Sequence, residues 1–384
     1  MFSLEYSEIQ EQIRDTARKF AREEILPSVI ERDKNAIYPR EIIEKLGELG
    51  FLGIMTSPEW GGSGLDAVSY AIAIEEICKI DASLGIVLSV QNSLNNWILE
   101  KYGTDQQKEK YLRPLAEGKM ISAFCLSEPE AGSDATRQNT TAQVINGKWV
   151  INGMKNWISS GHNAGVYLVF AQTNRELEHK GIGCFIVEAG TPGFELLPKE
   201  DKMGMRSSDT CSLSLTNVTL PEENIIGQRG DGFKIAMNAL NGGRIGIAAQ
   251  AVGIATGAYD LAAKYSNERK AFGKFLSQHQ MIQQKLAWMS TKIDAARLLV
   301  HQAAWMKDNK INYIKSSSQA KLFATSVANE VTREAVQIHG GYGYVREYHV
   351  ERMMRDAKVT EIYEGTSEVQ CIVISREIQK QFEA

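Results

Sequence analysis

Ala142-Gln143-Val144-Ile145-Asn146-Gly147-Lys148-Trp149-Val150-Ile151 is the stretch that decides the fold. Two β-prone runs, 142–145 and 149–151, flank an Asn-Gly pair, and that pair suits the left-handed φ values of a two-residue hairpin turn. Around it the pattern stays that of strands. Residues 166–171, 183–187 and 211–215 are short β-prone runs set between Gly, Pro and Asn turns. Residues from about 117 to 221 therefore read as a small all-β domain.

On both sides the period is helical. Upstream, Ser7 and Gln10 have the spacing of a capping box, and Ile9, Ile13, Ala17 and Phe20 recur at helical intervals. Pro39 stands where a first-turn proline belongs, ahead of a stripe of Ile42, Ile43, Leu46 and Leu49, and Gly50 is placed to end that helix. Trp60-Gly61-Gly62-Ser63-Gly64 reads as a loop and 88–102 as a further helix. Beyond Gly232, Leu286, Met289, Ile293, Ala296 and Val300 mark one apolar face of a long helix, and long helices on short loops suggest a bundle. The expected fold class is mainly α with a β insert: a helical domain over 1–116, a β-barrel or sandwich domain over 117–228, and a helical bundle over 229–384. An order of helices, then strands, then helices is not the alternating pattern of a parallel α/β sheet.

Bulk properties exclude several functions. The 384 residues are 43% apolar with a net charge of −4, and Lys and Arg alternate with Asp and Glu along the chain. That leaves no electrostatic case for nucleic acid or an anionic membrane. No apolar run reads as long enough to span a bilayer. The opening Met1-Phe2-Ser3-Leu4-Glu5 reads as an acidic amphipathic stretch rather than a signal peptide. Cys78, Cys125, Cys184, Cys211 and Cys371 lie far apart and never form a CxxC pair, and the six histidines show no HExxH or HxxxH spacing. Neither a disulfide framework nor a metal site is expected. The dinucleotide fingerprint GxGxxG and the P-loop are both absent.

Five segments carry the chemistry, though each alone has an ordinary structural explanation. Phe124-Cys125-Leu126-Ser127-Glu128-Pro129-Glu130-Ala131-Gly132-Ser133-Asp134 offers small residues and hydroxyls that let backbone N–H groups approach a ligand; it could equally be a Ser/Gly-rich turn. Asn156-Trp157-Ile158-Ser159-Ser160-Gly161 sets an aromatic plane two residues from a hydroxyl, which suits a ring and its polar edge as well as it suits a domain core. Glu268-Arg269-Lys270-Ala271-Phe272-Gly273, with Gln280 downstream, puts an Arg near a helix end, able to pair with phosphate or simply solvated. The glycines of Gln337-Ile338-His339-Gly340-Gly341-Tyr342-Gly343-Tyr344 could cradle a pyrophosphate or cap a helix. In Arg355-Asp356-Ala357-Lys358-Val359-Thr360-Glu361-Ile362-Tyr363-Glu364-Gly365-Thr366-Ser367-Glu368, Glu364 sits between an aromatic residue and a glycine, at the end of a helix in a partly apolar setting.

Taken together and in this order, the segments resemble the acyl-CoA dehydrogenase family over essentially the whole chain. Residues 124–134 are similar to the family's first signature and 337–356 to its second, and Tyr363-Glu364-Gly365-Thr366 resembles the segment that carries the catalytic base in the short- and medium-chain branches. The resemblance implies a C-terminal four-helix bundle, a homotetramer, and FAD lying between domains at a subunit interface. By matching position it implies that Phe124, Leu126, Ser127, Trp157, Ile158 and Ser159 surround the flavin. Arg269 and Gln280 would reach FAD from a neighbouring subunit, with Phe272, Gln337, Gly340, Gly341, Thr366 and Glu368 completing the site. Ser133, Asn241 and Arg244 would face the coenzyme A portion of an acyl-CoA substrate, with Gly365 near the acyl group. Glu364 would take the α-proton, with a ribityl hydroxyl and its own backbone N–H holding the thioester carbonyl, and an electron-transferring flavoprotein would accept the electrons. Some branches of the family carry the base on the helix holding Arg244; the matching position here is Gly243, which leaves Glu364 as the base. The runs 89–94 and 243–248 look closest to short-chain and short/branched-chain members. The setting implied is bacterial cytoplasm or the mitochondrial matrix. An acyl-CoA oxidase would be expected to continue well past Glu364, a nitroalkane oxidase to place Asp there, and a flavin monooxygenase of this fold to lack the base. A non-enzymatic scaffold would have no use for it.

Overall fold

The computed structural model describes residues 5–383; Met1–Leu4 and Ala384, and with them most of the reading of the opening stretch, lie outside the described residues. The Glu8–Phe20 helix opens on the capping box: Ser7 Oγ accepts the Gln10 N–H at 3.3 Å, and the Gln10 side chain accepts the Ser7 N–H at 3.0 Å. Pro39 is the cap of the Arg40–Glu48 helix, one place before the first-turn position expected, because its own φ/ψ pair is not helical. Residues 88–102 are helical but not uniformly so. A π-helical stretch, Val90–Asn96, joins Ala82–Ser89 to Trp97–Tyr102. Three of its buried amides donate to neighbouring carbonyls: Gln91 Nε2 to Ser122 O at 2.8 Å, Asn92 Nδ2 to Phe51 O at 2.9 Å, and Asn96 Nδ2 to Leu52 O at 2.9 Å. The widened turn is thus fixed on several sides, and π turns of this kind concentrate at functional sites.

The strands of the middle region are β1 (Ser122–Cys125), β2 (Thr141–Ile145), β3 (Lys148–Ser159), β4 (Val166–Gln172), β5 (Ile182–Glu188), β6 (Phe194–Lys199), β7 (Thr210–Leu220) and β8 (Ile225–Ile226). They form one sheet in the order β6-β7-β3-β2-β4-β5-β8, with β1 parallel beside β4. In the β2–β3 hairpin Ile145 pairs with Lys148, and Asn146 and Gly147 take φ values of 52° and 73°, as the Asn-Gly pair predicts. Every residue of β4 is buried. Val166, Leu168 and Phe170 pack against helical residues such as Ile98, Leu112 and Ile235, while Tyr167, Val169 and Ala171 pack on Trp149, Phe185 and Leu213 within the β domain. The period of two along one strand therefore joins the two layers.

From Gly232 the chain is again mainly helical, with Gly232–Glu268, Gln280–Asp308, Ile314–His339, His349–Thr360 and Ser367–Glu383, and a short antiparallel hairpin of Lys270–Ala271 and Lys274–Phe275 between the first two. The first of these packs on the N-terminal Ala67–Cys78 helix as well as on its bundle partners, so one core holds Ala17 and Ile74 together with Val252, Ala296 and Ala324. The reading that no apolar run could span a bilayer is corrected at one helix: Gly232–Glu268, with 37 residues, is long and apolar enough to cross a membrane by length and composition, but most of its apolar stretch is buried within the protein, so its apolarity serves this core.

Candidate active site

Glu364 lies in the turn between the His349–Thr360 and Ser367–Glu383 helices, four residues past the helix end at which the sequence places it. Glu364 and Gly365 take consecutive left-handed φ values of 52° and 90°. For a glutamate that conformation is strained and persists only where the surroundings enforce it. They do so here. Ser367 N donates to Glu361 O at 3.0 Å, and Gln370 Nε2 donates to Gly365 O at 2.8 Å and to Glu364 O at 3.3 Å. The Lys321 ammonium, fully buried on the Ile314–His339 helix, also donates to the Gly365 carbonyl.

The turn aims the Glu364 carboxyl at the long helix. A Cβ built on Gly243 would stand 2.0 Å from Glu364 Oε2 and 3.2 Å from Leu94 Cδ2. Gly243 is therefore more than a position without a carboxylate: its missing side chain is the space that the Glu364 carboxyl occupies. Both carboxyl oxygens are buried and make no hydrogen bond among the described residues. Buried polar atoms are nearly always satisfied, so this pair is an exception that calls for a ligand or a chemical role. The Glu364 amide N–H also has no acceptor among the described residues.

Burial pushes the Glu364 carboxyl up to about 7 from an ordinary 4.5, against the opposing pull of Lys321 and Arg244. Arg244 is 5% exposed; its Nη1 donates to Asn241 Oδ1 at 2.8 Å and to Ser318 Oγ at 3.2 Å, and its Nε has no partner among the described residues. It belongs to the interior beside Glu364 rather than to an open surface. Behind the base, the buried Tyr363 hydroxyl donates to Gln250 Oε1, and Gln250 Nε2 is anchored on Ala82 O at 2.7 Å. One turn along the helix from Gly243, a Cβ on Gly246 would meet the Tyr70 hydroxyl at 2.1 Å and Ser89 Oγ at 2.6 Å. The helix surface is closed there.

The other expected site residues fall into two groups. Phe124 packs on Phe170 with ring centroids 5.0 Å apart and the planes tilted by 60°, Leu126 is buried, and Ser127 O accepts from Asn156 N at 2.9 Å. The Leu126 carbonyl is held by the buried Lys155 ammonium at 3.2 Å, itself paired with Glu128 at 2.7 Å. A register shift between β3 and β7 at residues 155–158 puts Trp157 at φ 61° and 61% exposed, while Ile158 stays buried and Ser159 half-buried. Ser133 is exposed on the same domain. The second group lies at the far end of the bundle. Arg269 stands over the Tyr342 ring at 5.6 Å, close to the helix end where Gln337, Gly340 and Gly341 are exposed; Phe272 is 96% exposed and Gln280 opens the next helix. No hydrogen bond or ring contact among the described residues joins this group to Trp157 or Glu364. Thr366 and the exposed Glu368 adjoin the base turn.

Three consecutive matches span the chain: the acyl-CoA dehydrogenase N-terminal domain over residues 7–119, the middle domain over 123–218 and the C-terminal domain over 230–379. The chain belongs to the acyl-CoA dehydrogenase family. It is similar to the short-chain specific acyl-CoA dehydrogenase of Clostridium acetobutylicum, 47% identical over 96% of this chain and 97% of that one. It is 45% identical to the human mitochondrial short-chain specific enzyme, over 99% of this chain and 92% of the relative. The structure of butyryl-CoA dehydrogenase from Megasphaera elsdenii superposes with a TM-score of 0.97 at 45% identity, covering 98% and 100% of the two chains. A chain solved in work on the electron transferring flavoprotein of Acidaminococcus fermentans superposes equally well, at 0.97 and 48% identity, covering 98% and 99%.

The family depends on a flavin, and the residues of this acyl-CoA dehydrogenase fit one. Trp157 stands clear of its sheet with an open aromatic plane beside the fixed Leu126–Ser127 backbone, and a Cβ on Gly340 or Gly341 would meet nothing within 4 Å. Sequence reasoning missed Lys321, Tyr363, Gln250 and Tyr70. Lys321 did carry a signal: it shares a helical face with Ser317, Ala324 and Thr325, all buried, where the period calls for small or apolar residues.

Proposed function

We propose that this chain catalyses the flavin-dependent α,β-dehydrogenation of a short-chain acyl-CoA to its trans-2-enoyl-CoA, with Glu364 as the base for the α-proton. One observation carries the reading: the Glu364 carboxyl is buried, without a hydrogen-bond partner, and directed at the glycine of the facing helix. A carboxyl poised near 7 is ionised in a substantial fraction at neutral pH yet remains basic enough to accept a weakly acidic proton. The free Glu364 N–H supplies a preorganised donor for the thioester oxygen as negative charge grows on it. Bound FAD supplies the acceptor for the β-hydride. Phe124, Leu126, Ser127, Trp157, Ile158 and Ser159 would hold its ring, with Thr366 and Glu368 beside the base turn. Arg269, Phe272, Gln280, Gln337, Gly340 and Gly341 would hold its diphosphate half; their remove from the first group within one chain supports a homotetramer in which a neighbouring copy completes the site. Ser133, Asn241 and Arg244 would meet the coenzyme A portion, Arg244 from its buried place beside Glu364, and Gly365 the acyl group.

Two observations support a short acyl chain. The surface one turn from Gly243 is sealed by Tyr70 and Ser89, and relatives named short-chain specific cover nearly the whole chain. An electron-transferring flavoprotein is the proposed acceptor of the electrons, in bacterial cytoplasm or the mitochondrial matrix. The deciding measurement is anaerobic stopped-flow bleaching of the flavin by butyryl-CoA. Glu364→Gln preserves size and should slow bleaching by at least the roughly 10²–10⁴-fold that a general base contributes, while flavin content and substrate binding persist. Bleaching at the wild-type rate by a folded, flavin-loaded variant refutes the assignment.

A further inference from the structure

Lys321 has no part in the proposed proton transfer, and burying an ammonium is costly enough that a second role is called for. Its side chain is fully buried on the Ile314–His339 helix, and its one side-chain hydrogen bond among the described residues is to the carbonyl of Gly365, the residue after the base. Three donors with a single acceptor leave the ammonium under-satisfied. Facing it, both oxygens of Glu364 are also unpartnered. The turn between them holds two consecutive left-handed residues, one of them not glycine. We propose that Lys321 is the positioning residue of the base: its ammonium, together with the Gln370 amide, pins the Gly365 carbonyl, so that the strained Glu364–Gly365 turn keeps the carboxyl against Gly243. This inference rests on the reading of Glu364 as the base.

The charges around the pair come from every side. Arg244 on the Gly232–Glu268 helix and Lys321 both favour an ionised Glu364, while Glu361 and Glu368 at the ends of the flanking helices, with Glu364 itself, favour a charged Lys321. Burial, with a contribution from the Glu364 charge, keeps the nearby hydroxyls of Tyr70 and Tyr363 protonated. Burial brings Lys321 down to about 8. Lys321 is thus protonated when Glu364 must be ionised, and its charge offsets part of the desolvation that Gly243, Leu94 and Tyr363 impose on the carboxyl.

Two properties follow, and they separate by substitution. Lys321→Met removes both charge and donor; Lys321→Gln removes the charge but keeps a donor for the Gly365 carbonyl. The ionisation of Glu364 is read without turnover, as the carboxyl C=O stretch in the infrared difference between each flavin-loaded protein and the same protein carrying Glu364→Gln. Its midpoint should rise by about 1–3 pH units in both variants, the range an opposite charge at close range commands. The limiting rate of flavin bleaching by butyryl-CoA at high pH should fall by about tenfold or more in Lys321→Met, because a carboxyl displaced by a fraction of an ångström loses proton-transfer geometry, and should recover in Lys321→Gln. An unmoved midpoint with an unmoved limiting rate in Lys321→Met overturns the proposal. Should Lys321→Met fail to fold, Lys321→Gln decides alone: a limiting rate that falls tenfold or more although a donor for the Gly365 carbonyl is kept overturns it. Failure of the underlying reading shows elsewhere, as normal bleaching by Glu364→Gln in the wild-type background.

Discussion

Replacing Gly243 by alanine tests the geometry of the site more directly than removing the base does. The new Cβ would stand 2.0 Å from Glu364 Oε2, where an ordinary contact is about 3.5 Å, so the oxygen must retreat by roughly 1.5 Å. The obstacle is the far end of a flexible side chain, so the fold should accept the methyl; the second neighbour, Leu94 Cδ2 at 3.2 Å, needs to give by only a few tenths of an ångström. Alanine also suits a helix interior better than glycine, by up to about 1 kcal/mol. Gly243→Ala should therefore melt at or above the wild-type temperature and keep its flavin. Its base, however, is displaced from the substrate. A 1 Å misplacement can cost on the order of 10²-fold in rate, and at least that loss is expected in anaerobic bleaching by butyryl-CoA, with the wild-type flavin spectrum retained. Bleaching within a few-fold of wild type would mean that the carboxyl does not work from its place against Gly243. A melting temperature several degrees lower would mean that the methyl meets something less yielding than a side-chain end.

The raised Glu364 carboxyl also makes stability depend on pH. A carboxyl whose folded value is about 7 against an ordinary 4.5 binds more protons in the folded state between those limits, so its contribution is present below pH 4.5 and is lost as pH rises through 7. Glu364→Gln should therefore gain melting temperature relative to wild type between pH 5 and pH 8, corresponding to at most about 3 kcal/mol; a difference constant across that range refutes the raised value. Steady-state rates on an acyl-CoA panel should peak at butyryl-CoA or 2-methylbutyryl-CoA, with neighbouring lengths overlapping because one methylene discriminates by only about 1–3 kcal/mol. A maximum at long chains contradicts the proposed short-chain assignment.

What was legible in the sequence was local. The Ser7–Gln10 box, the Asn146-Gly147 turn and the runs at 166–171 and 183–187 all declare themselves within a few residues, and the structure forms each where expected, longer by a residue or two at the ends. The π-helical Val90–Asn96 stretch was not legible as such. Its amides bond to Phe51, Leu52 and Ser122, and no local pattern announces acceptors some thirty to forty-five residues away. The membrane-like composition of the long helix was misjudged for a related reason: a helix buried by neighbours on most sides needs no polar face, so its hydropathy approaches that of a spanning segment.

Glu364 was legible only through the motif around it, since a lone glutamate between Tyr363 and Gly365 has nothing in its spacing to separate it from a solvated one. The properties that make it a base come from three other helices: the absent side chain at Gly243, the charges of Arg244 and Lys321, and the Leu94 wall on the π-helical stretch. None of these lies within forty residues of it in sequence. Gly243 shows how far this goes. Read alone, it is merely a position where another branch of the family would carry its base; in the structure it is the room in which this base sits. The choice between the two positions is then steric as well as chemical, because a side chain at 243 and the carboxyl of Glu364 compete for one volume. Moving the base to residue 243 would require shortening residue 364 in the same step, and either change alone should leave an enzyme with its flavin site intact and its proton acceptor misplaced or missing.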